Sequence, residues 1–238
     1  NDIRVIIIKF ADRLHNLRTI RHLSLIKQRR ILQESKDIFV PLAHRLGMNN
    51  VKTEMEDIIL RTLEPQIFSK LKKKVKDSKK KREKYISEFI SPLKEELSNL
   101  EIEANVFGRA KNYSSIYYKM INRKKEFDEI FDLFAIRIVV DRVEDCYAAL
   151  GIVHHIYTPV QDNFKDYIAT PKGNGYQSIH TTVIGSLGKM VEIQIRTQSM
   201  DRTAEVGIAA HWTYKEHKSA LQDKETDINR HIKWLREL

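Results

Sequence analysis

The chain has 238 residues, 42 Lys plus Arg against 32 Asp plus Glu, a net charge of +10 and 42% apolar residues with eight Gly and five Pro. Such a chain can bury one or two globular cores and is neither collagenous nor low in complexity. Its best apolar run, Val5-Ile6-Ile7-Ile8, stops at Lys9, far short of the roughly 18 residues of a membrane span, and the single Cys146 cannot form an internal disulfide.

The front of the chain reads as helices over 3–60. Ile3, Ile7, Phe10, Leu14 and Leu17 recur at spacings of 4, 3, 4 and 3, one stripe of a helix. A second helical stretch runs through Leu25, Ile31, Leu32 and Ile38 to Leu46, with Gly47 as a stop signal, and a third from about Asn50 to Leu63 is closed by Pro65. Residues 70–84 then hold ten basic side chains and two acidic ones, so eight of the ten net charges lie in this run. Its plain reading is the solvated face of a connecting helix over 69–90; an anion or RNA contact is the alternative.

After Pro92 the period changes. Ile102, Ala104 and Val106 alternate, Ser115 to Ile121 is helical, 135–140 is a strand and Asp145 to Tyr157 a helix. Two alternating segments flank Gly185-Ser186-Leu187-Gly188 between Gln177 and Thr197, the pattern of a β-hairpin, and a helix starts near Gln198. The class is therefore α+β, a helical N-terminal segment followed by a mixed sheet flanked by helices.

Within the hairpin, Glu192, Gln194 and Arg196 share one face of their strand, and Tyr176, Ser178, His180 and Thr182 share a face of the partner segment. A solvated sheet face explains either set alone. Together they supply a carboxylate, an amide, a guanidinium, an imidazole and an aromatic ring, which suits an active-site face. Upstream, Gly108-Arg109-Ala110-Lys111 precedes a helix carrying Lys119, and such cations suit a polyphosphate. Asp132, before the strand bearing Arg137, is either a Mg²⁺ ligand or a cap. Lys165-Asp166-Tyr167 and Pro171-Lys172-Gly173-Asn174-Gly175-Tyr176 form a cationic, glycine-containing loop that can approach a nucleotide or simply turn the chain. The sequence holds no phosphate-binding Gly-Lys-Ser/Thr loop and no zinc spacing; His154, His155 and His211 read as packing or capping residues.

In combination these stretches resemble a known family. Arg109-Ala110-Lys111, Ser115-Ile116-Tyr117-Tyr118-Lys119-Met120, Phe131-Asp132-Leu133-Phe134-Ala135-Ile136-Arg137, Phe164-Lys165-Asp166-Tyr167-Ile168, the stretch from Pro171 to Thr182, Glu192-Ile193-Gln194-Ile195-Arg196-Thr197 and Ala209-Ala210-His211-Trp212 resemble the synthetase domain of the RelA/SpoT long alarmone enzymes. Ala11-Asp12-Arg13-Leu14-His15-Asn16-Leu17-Arg18-Thr19 and Pro41-Leu42-Ala43-His44-Arg45-Leu46-Gly47 resemble the end of that family's hydrolase domain and the helices after it. The resemblance implies a nucleotidyltransferase-like sheet, with 1–66 as a hydrolase remnant and connecting helices. Residues 67–238 would be the synthetase domain, with its catalytic core at about 100–215 and a C-terminal helix over 222–238.

The implied activity is transfer of pyrophosphate from ATP to the 3′-hydroxyl of GDP or GTP, giving AMP and ppGpp or pppGpp. By the same resemblance Arg109 and Arg137 sandwich adenine, Lys111 and Lys119 hold ATP phosphates, and Asp132 and Glu192 bind Mg²⁺. Tyr176 stacks on guanine, with Lys165, Lys172, Asn174, His180, Gln194 and Arg196 around the acceptor and the transferred group. Glu192 is the candidate base for the 3′-hydroxyl. Asn163-Phe164-Lys165-Asp166 departs from the Arg-x-Lys-Asp loop of two-activity members by lacking the Arg, yet keeps the Lys and Asp that set them apart from synthetase-only members.

Of the hydrolase pocket only Asp12, a metal-ligand match, and Asn16 and Thr19 stand in this chain, on one face of the first helix about 180° from its apolar stripe. The upstream histidine and His-Asp segments that would hold Mn²⁺ are not in it. Hydrolysis of ppGpp is therefore not expected of residues 1–238. Competing readings are a silent nucleotide- or RNA-binding regulatory module, supported by the 70–84 run, and nucleotidyl transfer, which needs more clustered acids than Asp132 and Glu192. A start at Asn1 inside a helical pattern reads as a piece of a longer protein, whose full length would make any ribosome or RNA contact. A reducing cytoplasm and no membrane complete the expectation.

Overall fold

A computed structural model of the chain describes residues 3–124, 126–127 and 134–207. Asp132, His211 and the helix expected over 222–238 lie outside the described residues.

The front is helical, as the apolar spacing requires. Helix α1 (Ile3–Arg18) buries Phe10 and Leu17 against Leu32, Met55 and Ile59. Helix α2 (Leu25–Glu34) passes through a π-helical turn (Ser35–Phe39) into α3 (Val40–Arg45). The wide turn sits just before Pro41, which has no N–H to donate to the preceding turn, and the buried Ser35 hydroxyl donates to the Ile31 carbonyl at 2.6 Å. Gly47, at φ +70°, ends the run, and α4 (Asn49–Leu63) buries Met55, Ile58, Ile59 and Leu60. Pro65 begins a new helix rather than merely closing α4, because a proline at the first helical position loses no internal bond.

The single basic helix expected over 69–90 is two, α5 (Pro65–Asp77) and α6 (Lys79–Asn99), broken at Ser78. Nor does Pro92 end α6, which carries it internally. Burial explains the persistence: Phe89, Ile90, Leu93 and Leu97 pack under the sheet, and the Tyr157 hydroxyl donates to the Phe89 carbonyl, one turn before the proline, at 2.9 Å.

The sheet comprises β1 (Ala104–Ala110), β2 (Phe134–Val140), β3 (Thr158–Pro159), β4 (Lys165–Asp166), β5 (Ile179–Ile184) and β6 (Met190–Thr197). Their order is β1-β2-β6-β5-β3, with β4 also on β5. Only the β2–β6 pair among these is parallel, so the sheet is mixed. Helices α7 (Tyr113–Arg123), α8 (Val143–Ile156) and α9 (Gln198–Val206) follow β1, β2 and β6. One sheet face, with Ile136, Ile138, Ile193 and Ile195, is sealed by α6 and α8. Alternation sends the polar partners of these residues to the other face.

The helical front meets the sheet unit directly. Asn49 Nδ2 donates to the Ala204 carbonyl at 2.6 Å, the Ser114 N–H donates to Asp57 Oδ1 at 2.8 Å, and Gly47 lies against Gly207 backbone to backbone. Among the described residues no helix is long and apolar enough to cross a membrane. Cys146 is fully buried on α8, its thiol pushed up to about 12 by burial and then by Asp145 and Glu144, so it is an inert core residue.

Candidate nucleotide site on the polar sheet face

Strand register assembles the site. Arg109, Ala135, Glu192 and Thr182 are paired in one row across β1, β2, β6 and β5. The next row holds Phe107, Arg137, Gln194, His180 and Lys165, and the one beyond it carries Arg196 opposite Val139. Residues spread over 57 positions between 109 and 165 and a hairpin further on thus share one surface because paired residues point to the same face. The expectation that the two polar sets of the hairpin adjoin holds for Glu192, Gln194, Thr182 and His180. Ser178 differs: it precedes β5, is fully buried, and donates to the Ile195 carbonyl at 3.1 Å.

One corner of this face pairs Lys111 Nζ with Glu192 Oε2 at 3.2 Å, while Gln194 Nε2 donates to Glu192 Oε1 at 3.0 Å and His180 Nδ1 stands 3.9 Å away. Burial alone would raise the Glu192 carboxyl, but Lys111, Gln194 and His180 outweigh it and hold it below the ordinary carboxylate range. It is therefore a stable anion next to a cation. His180 is pushed down to about 4, chiefly by burial, so its ring is neutral at pH 7. Its Nε2 is 2.7 Å from the Tyr176 hydroxyl, which burial keeps as a neutral phenol.

The 165–176 loop forms an aromatic and cationic wall. Lys172 Nζ lies 4.5 Å from the Tyr167 ring centre and 5.2 Å from that of Tyr176. Gly175, at φ +76°, donates to the Lys172 carbonyl, and Lys172 donates to the Tyr176 carbonyl, which closes the turn. Asn174 Oδ1 accepts from the Tyr176 N–H at 3.2 Å, and its Nδ2 donates to the His44 carbonyl at 3.3 Å, tying the loop to the helical front. Asp166 is a scaffold group: it accepts from the Ile168 and Ala169 N–H groups and from the Tyr147 hydroxyl.

The arginines have partners that sequence reading overlooked. Asp201 and Glu205 sit one turn apart on α9. Arg137 Nη1 reaches Asp201 Oδ1 at 3.1 Å and Glu205 Oε1 at 2.8 Å; Arg196 Nη2 reaches the same two atoms at 2.6 Å and 3.4 Å. Arg109 Nη2 is 4.0 Å from Glu205 Oε1. Arg196 and Arg137 are only 1% and 5% exposed, whereas Arg109 is half-exposed. The signal that could have found the pair is the i,i+4 spacing of two acids just after a strand bearing an arginine, capped by Thr197. Lys119 lies half-buried on α7 two turns beyond Lys111.

On α1, Asn16 Nδ2 donates to Asp12 Oδ2 at 3.3 Å and the Thr19 hydroxyl donates to the His15 carbonyl at 3.0 Å, so the three share a polar face. Beside it Val5 and Ile8 are exposed. No group of three His, Cys, Asp or Glu side chains among the described residues could hold a metal.

Residues 108–219 match a family model described as a region found in RelA / SpoT proteins, and residues 1–49 match one described as an HD domain. The GTP pyrophosphokinase of Streptomyces coelicolor is 48% identical over 250 residues, covering 100% of this chain and 29% of that protein. The bifunctional (p)ppGpp synthase/hydrolase RelA of Mycobacterium tuberculosis is 48% identical over 217 residues, covering 91% of this chain and 29% of that protein. A crystal structure of small alarmone synthetase 1 from Bacillus subtilis, bound to its product pppGpp, is 24% identical, covering 61% of this chain and 87% of that one at a TM-score of 0.38. The chain spans 29% of the length of each of the two sequence relatives.

Proposed function

The chain belongs to the RelA/SpoT family, and from that premise we propose that it carries a (p)ppGpp synthetase centre, a GTP diphosphokinase that moves pyrophosphate from ATP to the 3′-hydroxyl of GDP or GTP. Supporting this reading above all is the shared face on which Lys111 and Glu192 meet at 3.2 Å beside the row of Arg137, Gln194, His180 and Lys165. One ionised carboxylate paired with Lys111, with Arg137 and Lys165 in the neighbouring row, suits a polyanionic donor and a hydroxyl acceptor in a single pocket.

In the reaction the acceptor 3′-oxygen bonds to the β-phosphorus of ATP, the bond from that phosphorus to the α–β bridging oxygen breaks, and AMP leaves. Such transfers depend mostly on positioning and charge neutralisation. Arg109 and Arg137 hold adenine, Lys111 and Lys119 the phosphates, and Tyr176, Lys172, Asn174, Lys165, His180 and Gln194 the acceptor side; Arg196, expected beside them, is buried on Asp201 and braces that face from within. Glu192 takes the hydroxyl proton. Held low by Lys111 it is a weak base, but ATP phosphates compete for the same ammonium, and each loosening of that pair raises the carboxylate's proton affinity. The hard oxygens of Glu192 suit Mg²⁺ completed by substrate phosphates, with Asp132 as the second carboxylate. The ion would offset negative charge on the transferred group.

Residues 1–66 serve as the end of a hydrolase domain with connecting helices and 67–238 as the synthetase domain, in a cytoplasmic protein whose full length makes any ribosome or RNA contact. The test is incubation of the purified chain with labelled ATP, Mg²⁺ and GDP or GTP, followed by thin-layer separation. Formation of AMP with ppGpp or pppGpp is expected. Absence of both products with both nucleotides saturating refutes the reading and favours a silent binding module.

A further inference from the structure

We infer that Asp201 and Glu205 of α9 are positioning residues that set the affinity for the donor nucleotide by aiming Arg137 and Arg109. The inference rests on the synthetase reading above and adds two residues which that reading does not use.

Among the described residues three guanidiniums converge on two carboxylates, which leaves one net positive charge in this cluster for the ligand. Glu205 Oε1 is within 4.0 Å of all three arginines, and Asp201 Oδ1 is shared between Arg137 and Arg196. Arg137 shows how strongly its direction depends on them. Its Nη1 donates to both carboxylates, while its buried Nε has no hydrogen-bond partner among the described residues. Phe107 lies 5.9 Å from its guanidinium carbon, a face for it to rest on rather than a hydrogen-bond acceptor to aim it. Without the carboxylates two buried guanidiniums would face one another uncompensated, and Arg137 would turn away from Arg109.

The three arginines are not held alike. Arg196, buried at 1%, is gripped by Nε and Nη2 on Asp201 and is an internal strut. Arg109 touches Glu205 only at 4.0 Å and is half-exposed, so it is the member best placed to close on a ligand. Glu205 therefore links the buried strut Arg196 to the more exposed Arg109. The carrier of these acids is itself fixed, since Thr197 caps α9 by accepting the Met200 N–H and the Ala204 carbonyl is held by Asn49.

The test is Glu205→Gln, which keeps size and one acceptor oxygen but removes the charge. Circular dichroism and thermal melting establish that the variant is folded. Steady-state kinetics and titration calorimetry with a non-hydrolysable ATP analogue are then compared with wild type. The expected result is an ATP KM and analogue Kd raised about tenfold, with the KM for GDP changed by less than threefold. An unchanged ATP KM overturns the inference, and so does a lowered one, which would make Glu205 a competitor of the nucleotide. A uniform loss of kcat with both KM values intact also overturns it. If Glu205→Gln does not fold, Asp201→Asn is read in the same way, because it leaves the Glu205 contact to Arg137 in place. Wild-type protein without product refutes the synthetase reading itself; active wild type with unaltered variants refutes only this inference.

Discussion

Glu192 on β6 and Lys111 just past the end of β1 meet at 3.2 Å, so each sets the other's chemistry. Replacing Glu192 by Gln should lower kcat by at least about a hundredfold with both nucleotides saturating, the range of a positioned general base; turnover near wild type removes the base role. Lys111→Met tests the coupling by sign. Lys111 favours the charged carboxylate, so its loss raises the Glu192 carboxyl and moves the acid limb of the pH–rate profile to higher pH. A limb that stays in place rules out the coupling. Legibility at this scale was uneven. Alternation in the sequence put Glu192, Gln194 and Arg196 on one face, but no local pattern brought Asp201 and Glu205 under Arg137, 64 and 68 positions away.

At the scale of elements, helical spacing identified α1 and α4, and strand alternation the hairpin, because each carries its own periodicity. What it missed were the places where a neighbour overrides local preference. Pro92 stays inside α6 because the helix face beneath it is buried, and Ser78 splits the lysine run where no apolar stripe binds it. The junction of α9 with the front is equally nonlocal. Gly207 sits at φ +61°, ψ −138°, a region essentially reserved for glycine, and a Cβ there would overlap the Gly47 carbonyl carbon and the Leu46 oxygen. Gly207→Ala should therefore destabilise by about 2 kcal/mol or more. Denaturant titration checks the loss; a midpoint within error of wild type would mean that the junction yields at no cost.

For the whole molecule, three histidines on separate elements point the same way. Burial, the largest cause in each case, lowers His44, His154 and His180, the last to about 4. Burial disfavours their charged forms in the folded chain, whereas unfolded histidines take up protons below about pH 6.5, so the unfolded state binds more protons in this window and stability falls as the pH is lowered. His180 alone should account for a loss on the order of 2 kcal/mol between pH 7.5 and 5. His154→Gln, which removes one of the three away from the site, should flatten the slope of stability against pH; an unaltered slope excludes its contribution. The α1 face makes a separate prediction. Asp12, Asn16 and Thr19 supply one carboxylate between them, so residues 1–238 should release no pyrophosphate from ppGpp with Mn²⁺, and release by the purified chain would overturn this. The sequence by itself determined the helical front, the hairpin, the basic run and the motif set that points to nucleotide chemistry, because periodicity and motif order are local properties. Only the tertiary structure decided the rest: strand order set the rows that collect Arg109, Glu192, Arg137 and His180, and α9 folded back beneath them to supply the acids that hold the arginines, since pairing and burial are settled between elements far apart in the chain.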